Sequence, residues 1–138
     1  MDTDYSMLRL LTALALAAGG GIASSAEDLA LWGKYLYDGR AFDASMMPQL
    51  LNGVAARPGQ NTRYGLGVII RETPLGTLYG HSGFFPAYQA EVLYLPSLKA
   101  AVAFQVNSSM PGALGRGMSP ARLAIEVAGI VADELSRR

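Results

Sequence analysis

The densest chemistry in this sequence lies in one short run, Tyr79-Gly80-His81-Ser82-Gly83-Phe84-Phe85-Pro86-Ala87-Tyr88. His81 is the only histidine of the chain. An imidazole can polarise a group or shuttle a proton near neutral pH. Ser82, next to it, brings a hydroxyl able to donate to an anion. Gly83 lets another molecule approach the backbone closely. The same run also reads as plain structure: a turn whose histidine ends a strand, with Phe84, Phe85 and Tyr88 sealing a core. Residue types and spacing leave both readings open.

Other chemistries are narrower still. With no cysteine, disulfides, thiolate catalysis, iron–sulfur clusters and cysteine zinc sites are excluded. One histidine excludes a multi-histidine metal site. The carboxylates are scattered, and no pair is spaced for acid–base work. Gly19-Gly20-Gly21 precedes a helix, but no lysine follows and no Gly-x-Gly-x-x-Gly forms, so it reads as a turn. Arg116, in a glycine-rich loop, reads as solvated. No cofactor and no metal are expected. Eleven basic and eleven acidic residues cancel, which argues against a nucleic-acid binder. Hydrophobic residues make up 51% and charged residues 16% of the 138. That composition is apolar and far from the disordered class. On apolar excess alone, a small-ligand or lipid binder is a further idea.

These residues need a scaffold. The length suits one domain, residues 1–138. Arg9 is followed by Leu10 to Ala18, apolar except for Thr12, and then by the glycines. This looks like the core of a secretory leader, with Ala23-Ser24-Ser25-Ala26 for cleavage. Asp2 and Asp4 make the start acidic, however, so we read a native helical segment over 1–18, helical from residue 4. The apolar run is too short to span a bilayer. Ser24 and Ser25 can cap a second helix over 25–37, with Leu29, Trp32, Gly33 and Leu36 on one side. Asp43 can cap a short helix with Met46, Met47, Leu50 and Leu51. Residues 52–62 read as a loop. The period then changes to two. Strands are expected over 64–70, 77–81, 88–95 and 99–106, with turns at Thr73–Gly76 and Pro96-Ser97. Residues 107–119 read as a loop. Pro120 opens a last helix to about Leu135, whose buried stripe is expected to be Leu123, Val127, Ile130 and Val131. The expected class is α+β: an antiparallel sheet of about four strands flanked by helices, with helix 25–37 and the last helix on one face.

Gly80-His81-Ser82-Gly83, followed by Pro86 and Tyr88, resembles the third active-site motif of the serine β-lactamase and penicillin-binding-protein family. The branch it looks most like holds class C β-lactamases, D-alanyl-D-alanine carboxypeptidases and family VIII esterases. Three further segments agree in order. Gly19-Gly20-Gly21 through Ser25-Ala26-Glu27-Asp28-Leu29 resembles the family's glycine-rich turn and helix start. Tyr64-Gly65-Leu66-Gly67-Val68 resembles its "YGLGW" strand. Leu95-Pro96, the following strand and Asn107 resemble its terminal hairpin. The resemblance covers about residues 17–136. It implies a partial β-lactamase/transpeptidase-like fold. It also implies that His81 and Ser82 contact a substrate carboxylate or carbonyl, and that Gly83 leaves room. The Phe84 N–H would be one arm of an oxyanion hole, where fixed donors meet developing charge. Phe85 and Tyr88 would wall the cleft.

The family's nucleophile is the serine of an S-x-x-K motif. No serine here stands three residues before a lysine: Leu31 precedes Lys34 and Pro96 precedes Lys99. Ser6-Met7-Leu8-Arg9 ends in arginine, which does not act as a base. No tyrosine is followed two residues later by Asn or Ser. The chain therefore looks like the C-terminal portion of a hydrolase that acts on β-lactams, D-Ala peptides or esters, and is expected to be inactive alone. The alternative is a non-catalytic module that self-associates or binds a partner. Expected partners are a second copy or a complementary N-terminal half, with no nucleic acid and no membrane span. The compartment, bacterial periplasm or cytoplasm, stays open.

Overall fold

The computed structural model describes residues 20–56, 61–110, 112–115 and 117–137. The segment expected to be helical over 4–18, its alternative as a secretory leader, and Arg116 lie outside the described residues. Helix α1 runs Ala26–Tyr37. Ser25 caps it, its Oγ accepting from the Asp28 N–H at 3.0 Å, and Glu27 and Asp28 sit in the first turn. A 3-10 turn, Ala44–Met46, and the one-turn helix α2, Met47–Leu50, follow. Asp43 does cap this pair, through the Ser45 N–H.

The sheet is one antiparallel meander of six strands: β1 Val54–Ala55, β2 Thr62–Tyr64, β3 Ile69–Thr73, β4 Gly76–Phe85, β5 Tyr88–Leu95 and β6 Ala100–Val106. Each strand pairs with its neighbours in sequence. This is two strands more than the expected four. β1 and β2 fall in and beside the stretch read as a loop, and they are two and three residues long. Pairing with the next strand rather than local pattern makes them strands. The expected strand 64–70 is in fact two strands joined by a turn. Gly65 donates to the Val68 carbonyl at 2.8 Å, and Gly67 has φ +71°, so the apparent alternation across Leu66 spans a reversal of the chain.

Strand β4 is longer than expected, and this moves the motif. The run His81–Phe84 lies inside the strand, which continues to Phe85 and turns through Pro86-Ala87 into β5. Gly80 is required by packing: a Cβ there would stand 1.9 Å from the Val92 carbonyl oxygen.

Helix α3, Pro120–Ser136, begins as expected, with Pro120 in the first turn and Ser119 Oγ accepting from the Arg122 N–H at 3.2 Å. The two long helices lie on opposite faces of the sheet, not on one. Opposed residues of antiparallel strands share a face, and successive residues alternate. Leu78, Leu93, Leu95 and Val102 therefore form one face, and they pack against Ala124 and Ala128 of α3. Ile70, Tyr79, Tyr94 and Ala101 form the other, and they pack with Val68 against Tyr37 and Leu36 of α1. Because this sheet is apolar on both faces, one helix covers each. Of the expected stripe, Val127 and Val131 pack partly buried against this core, but the deepest residues are Ala124 and Ala128, and Ile130 is 69% exposed. Small side chains let the helix come close to the leucines beneath it.

On the α1 face, Gly33 lies so near β5 that a Cβ would stand 2.6 Å from Val92 Cγ2. The Tyr37 ring sits 5.8 Å from Tyr79 and 5.7 Å from Tyr94, centroid to centroid. Burial pushes the Tyr37 phenol up to about 12. The Tyr94 hydroxyl donates to Asp38, and Lys34 Nζ bridges Asp38 Oδ2 at 2.8 Å and the Lys99 carbonyl at 2.5 Å. These bonds tie the end of α1 to the β5–β6 turn. The hydrogen bond from Lys34, then that from Tyr94, holds the Asp38 carboxyl below its ordinary value.

Candidate active site

Pairing between β3 and β4 runs from Ile69↔Gly80 to Thr73↔Gly76. Beyond Gly80, residues 81–85 pair only with β5 among the described residues. Among the described residues, one backbone edge of β4 is therefore without a strand partner where the motif sits. Such an edge presents N–H and C=O groups to whatever lies beside it.

The alternation of β4 separates the motif residues. His81, Gly83 and Phe85 belong to the face that carries α1; Ser82 and Phe84 belong to the face that carries α3. His81 is exposed. Its Nδ1 lies 2.7 Å from the Ser82 carbonyl oxygen and its Nε2 lies 2.8 Å from the Tyr64 hydroxyl. The Tyr64 ring meets the imidazole edge-on, at 74°.

Ser82 is engaged elsewhere. Its hydroxyl donates to Glu91 Oε2 at 2.5 Å and accepts from Arg71 Nη2 at 3.1 Å. Arg71 Nη2 also lies 2.9 Å from Glu91 Oε1, with the two side chains 9% and 0% exposed. That contact is an ion pair without hydrogen-bond alignment, so Arg71 Nη1 and Glu91 Oε1 have no hydrogen-bond partner among the described residues. The structure thus does not bring the side chains of His81 and Ser82 to one ligand: a strand sends neighbours to opposite sides. The hydroxyl expected at a substrate instead joins a charged network across β3, β4 and β5.

Gly83 is uncrowded, since a Cβ there would make ordinary contact with Ala90 alone, 3.5 Å from its Cβ and 3.9 Å from its carbonyl oxygen. It borders a groove of about 620 Å³ between β4–β5 and residues 20–24. Phe84, Phe85 and Tyr88 line this groove and are substantially exposed, Phe84 at 73%. Among the described residues these three seal no core. Tyr64, Arg71 and Glu91 are the site residues that sequence reasoning did not assign. The charged pair does leave a trace, because Arg71 follows two isoleucines and Glu91 precedes Val92-Leu93. A charge in an apolar strand needs a partner. Among the described residues, no cluster of three acidic or histidine side chains is placed to hold a metal ion.

A family model for beta-lactamases matches residues 2–126. The chain belongs to the beta-lactamase family. One solved structure places it within that fold, and a second resembles part of it. The octameric penicillin-binding protein homologue from Pyrococcus abyssi is 25% identical, with a TM-score of 0.59 over 75% of this chain and 22% of that one. The D-stereospecific amidohydrolase from Streptomyces sp. is 22% identical, with a TM-score of 0.49 over 54% of this chain and 22% of that one. No curated protein matches the chain. The chain thus spans about a fifth of the length of each structure, and its family is one of serine hydrolases with an α+β fold.

Proposed function

We propose that this chain forms the substrate-facing sheet of a beta-lactamase-like serine hydrolase site acting on β-lactams, D-Ala peptides or esters. His81 contacts the ligand, Gly83 gives it room, the Phe84 N–H is one arm of the oxyanion hole, and Phe85 and Tyr88 wall the cleft. Ser82 contributes from behind, by fixing the strand. The observation that carries this reading is the edge of β4 over His81–Phe85, left unpaired with β3, where Gly83, Phe84 and Phe85 border a groove. The polypeptide alone does not turn over substrate, because its sequence holds neither an S-x-x-K serine nor a Tyr-x-Asn. A complementary segment carrying both motifs would complete it.

The test is an assay with a chromogenic cephalosporin and a p-nitrophenyl short-chain ester. The chain by itself is expected to give no turnover. Mixed with a segment bearing the two missing motifs, it is expected to give turnover that His81→Ala abolishes. Turnover by the chain alone, lost in His81→Ala, would overturn the inactive reading. A second reading, a non-catalytic module that self-associates or binds a partner, is favoured by the exposed aromatics around the groove. It expects an assembly larger than one chain by light scattering, and a clean monomer counts against it.

A further inference from the structure

We infer that Tyr64 and His81 form a proton-gated contact for a carboxylate, with Tyr64 as the residue that donates to it. This deepens the functional reading above and rests on its placing the ligand at the β4 edge. The argument begins at the Ser82 carbonyl. A carbonyl oxygen only accepts, so the 2.7 Å contact puts a proton on His81 Nδ1. In a neutral ring Nε2 is then an acceptor, and it takes the Tyr64 hydroxyl proton at 2.8 Å. In this state both protons of the pair are engaged, and neither side chain offers a donor to an anion.

A proton from solvent changes this. It binds Nε2, and both ring nitrogens become donors. The Nε2–H must then point at the Tyr64 oxygen, which accepts with a lone pair. The phenol proton is released and can be directed outward. Positive charge and a free O–H donor arrive in one step, and a carboxylate is the ligand that uses both. The Ser82 backbone is held by the β4–β5 pairing, with its hydroxyl engaged by Arg71 and Glu91.

The groups facing the His81 ring follow from the strand pairing. Tyr79 is the titratable neighbour on its own face of β4, Val92 opposes it on β5, and α1 brings Tyr37 to that face. Arg71 and Glu91 occupy the other face and pair with each other. Among the described residues His81 makes no ion pair.

Benzylpenicillin and its uncharged methyl ester, titrated into the whole chain by NMR, test the inference. Histidines change charge between about pH 5 and 8. Between those limits, affinity for the acid is expected to rise about tenfold as pH falls, and affinity for the ester to stay level. Tyr64→Phe, which keeps the ring and removes the donor, is expected to abolish most of the gain. Imidazole ¹⁵N shifts of the free protein at the upper pH are expected to show Nδ1 protonated and Nε2 bare. The opposite tautomer, a level acid affinity beside a bound ester, or a Tyr64→Phe variant with the full gain overturns the inference alone. Binding of neither compound at any pH overturns it together with the placement of the ligand at this edge.

Discussion

Among single residues, Glu91 carries the sharpest consequence. Its carboxylate is fully buried, and it is held by one guanidinium and one hydroxyl. Removing one partner of a buried pair strands the other, at a cost of about 3–5 kcal/mol. Glu91→Ala is therefore expected to lower unfolding free energy by about that amount in urea denaturation. Replacing the network as a whole (Arg71→Met, Ser82→Ala and Glu91→Leu) is expected to recover most of the loss, because apolar substitutes of similar volume leave no charge behind. His81 and Gly83 were legible from their types and their order, since the third motif is contiguous. Tyr64, Arg71 and Glu91 were not. They reach the site across strand pairings 9 to 17 residues away in sequence, and no local spacing records those meetings.

At the level of elements, the helices show where sequence pattern stops. Both long helices were legible at their starts, because Ser25 and Ser119 with Pro120 are local capping signals. Strands β4, β5 and β6 were legible in outline from alternation, whereas the strand expected over 64–70 meets β3 only at Ile69 and Ile70. The face each helix covers was not, because the amphipathic stripe of α3 is broad and its deepest residues are alanines. Two substitutions distinguish the expected stripe from the observed one. Ile130→Ala is expected to change stability by less than about 0.5 kcal/mol, as a surface replacement does. Ala124→Leu forces bulk between α3 and the leucines of the sheet, and is expected to cost about 1–3 kcal/mol. Thermal melts of the two variants give the comparison, and a larger loss from Ile130→Ala would count against the seat of α3 described above.

For the whole molecule, the tyrosine cluster between α1 and the sheet sets the pH range of stability. The Tyr37 phenol is raised from 10.0 to about 12 by burial, and burial followed by the Asp38 hydrogen bond raises Tyr94 as well. A raised acid binds its proton more tightly when folded. Its stabilisation is complete below the unfolded value and is lost as pH rises through the folded one. Unfolding free energy is therefore expected to fall from about pH 10 to 12. Asp38 has the opposite sign. Its folded value lies below 3.8, so its contribution is present above that and fades as pH drops through the folded value. Urea titrations across pH check both limbs, and Tyr37→Phe is expected to flatten the alkaline one.

The meander order has one more effect on the molecule. β6 closes the sheet with Ala-Ala-Val-Ala-Phe-Gln-Val, seven residues without a charge or a proline. Among the described residues no strand lies on its outer side. The flank is a row of backbone donors and acceptors with nothing in its own sequence to discourage another strand from annealing to it. Among the described residues, β6 is thus the flank at which a further strand would extend the sheet.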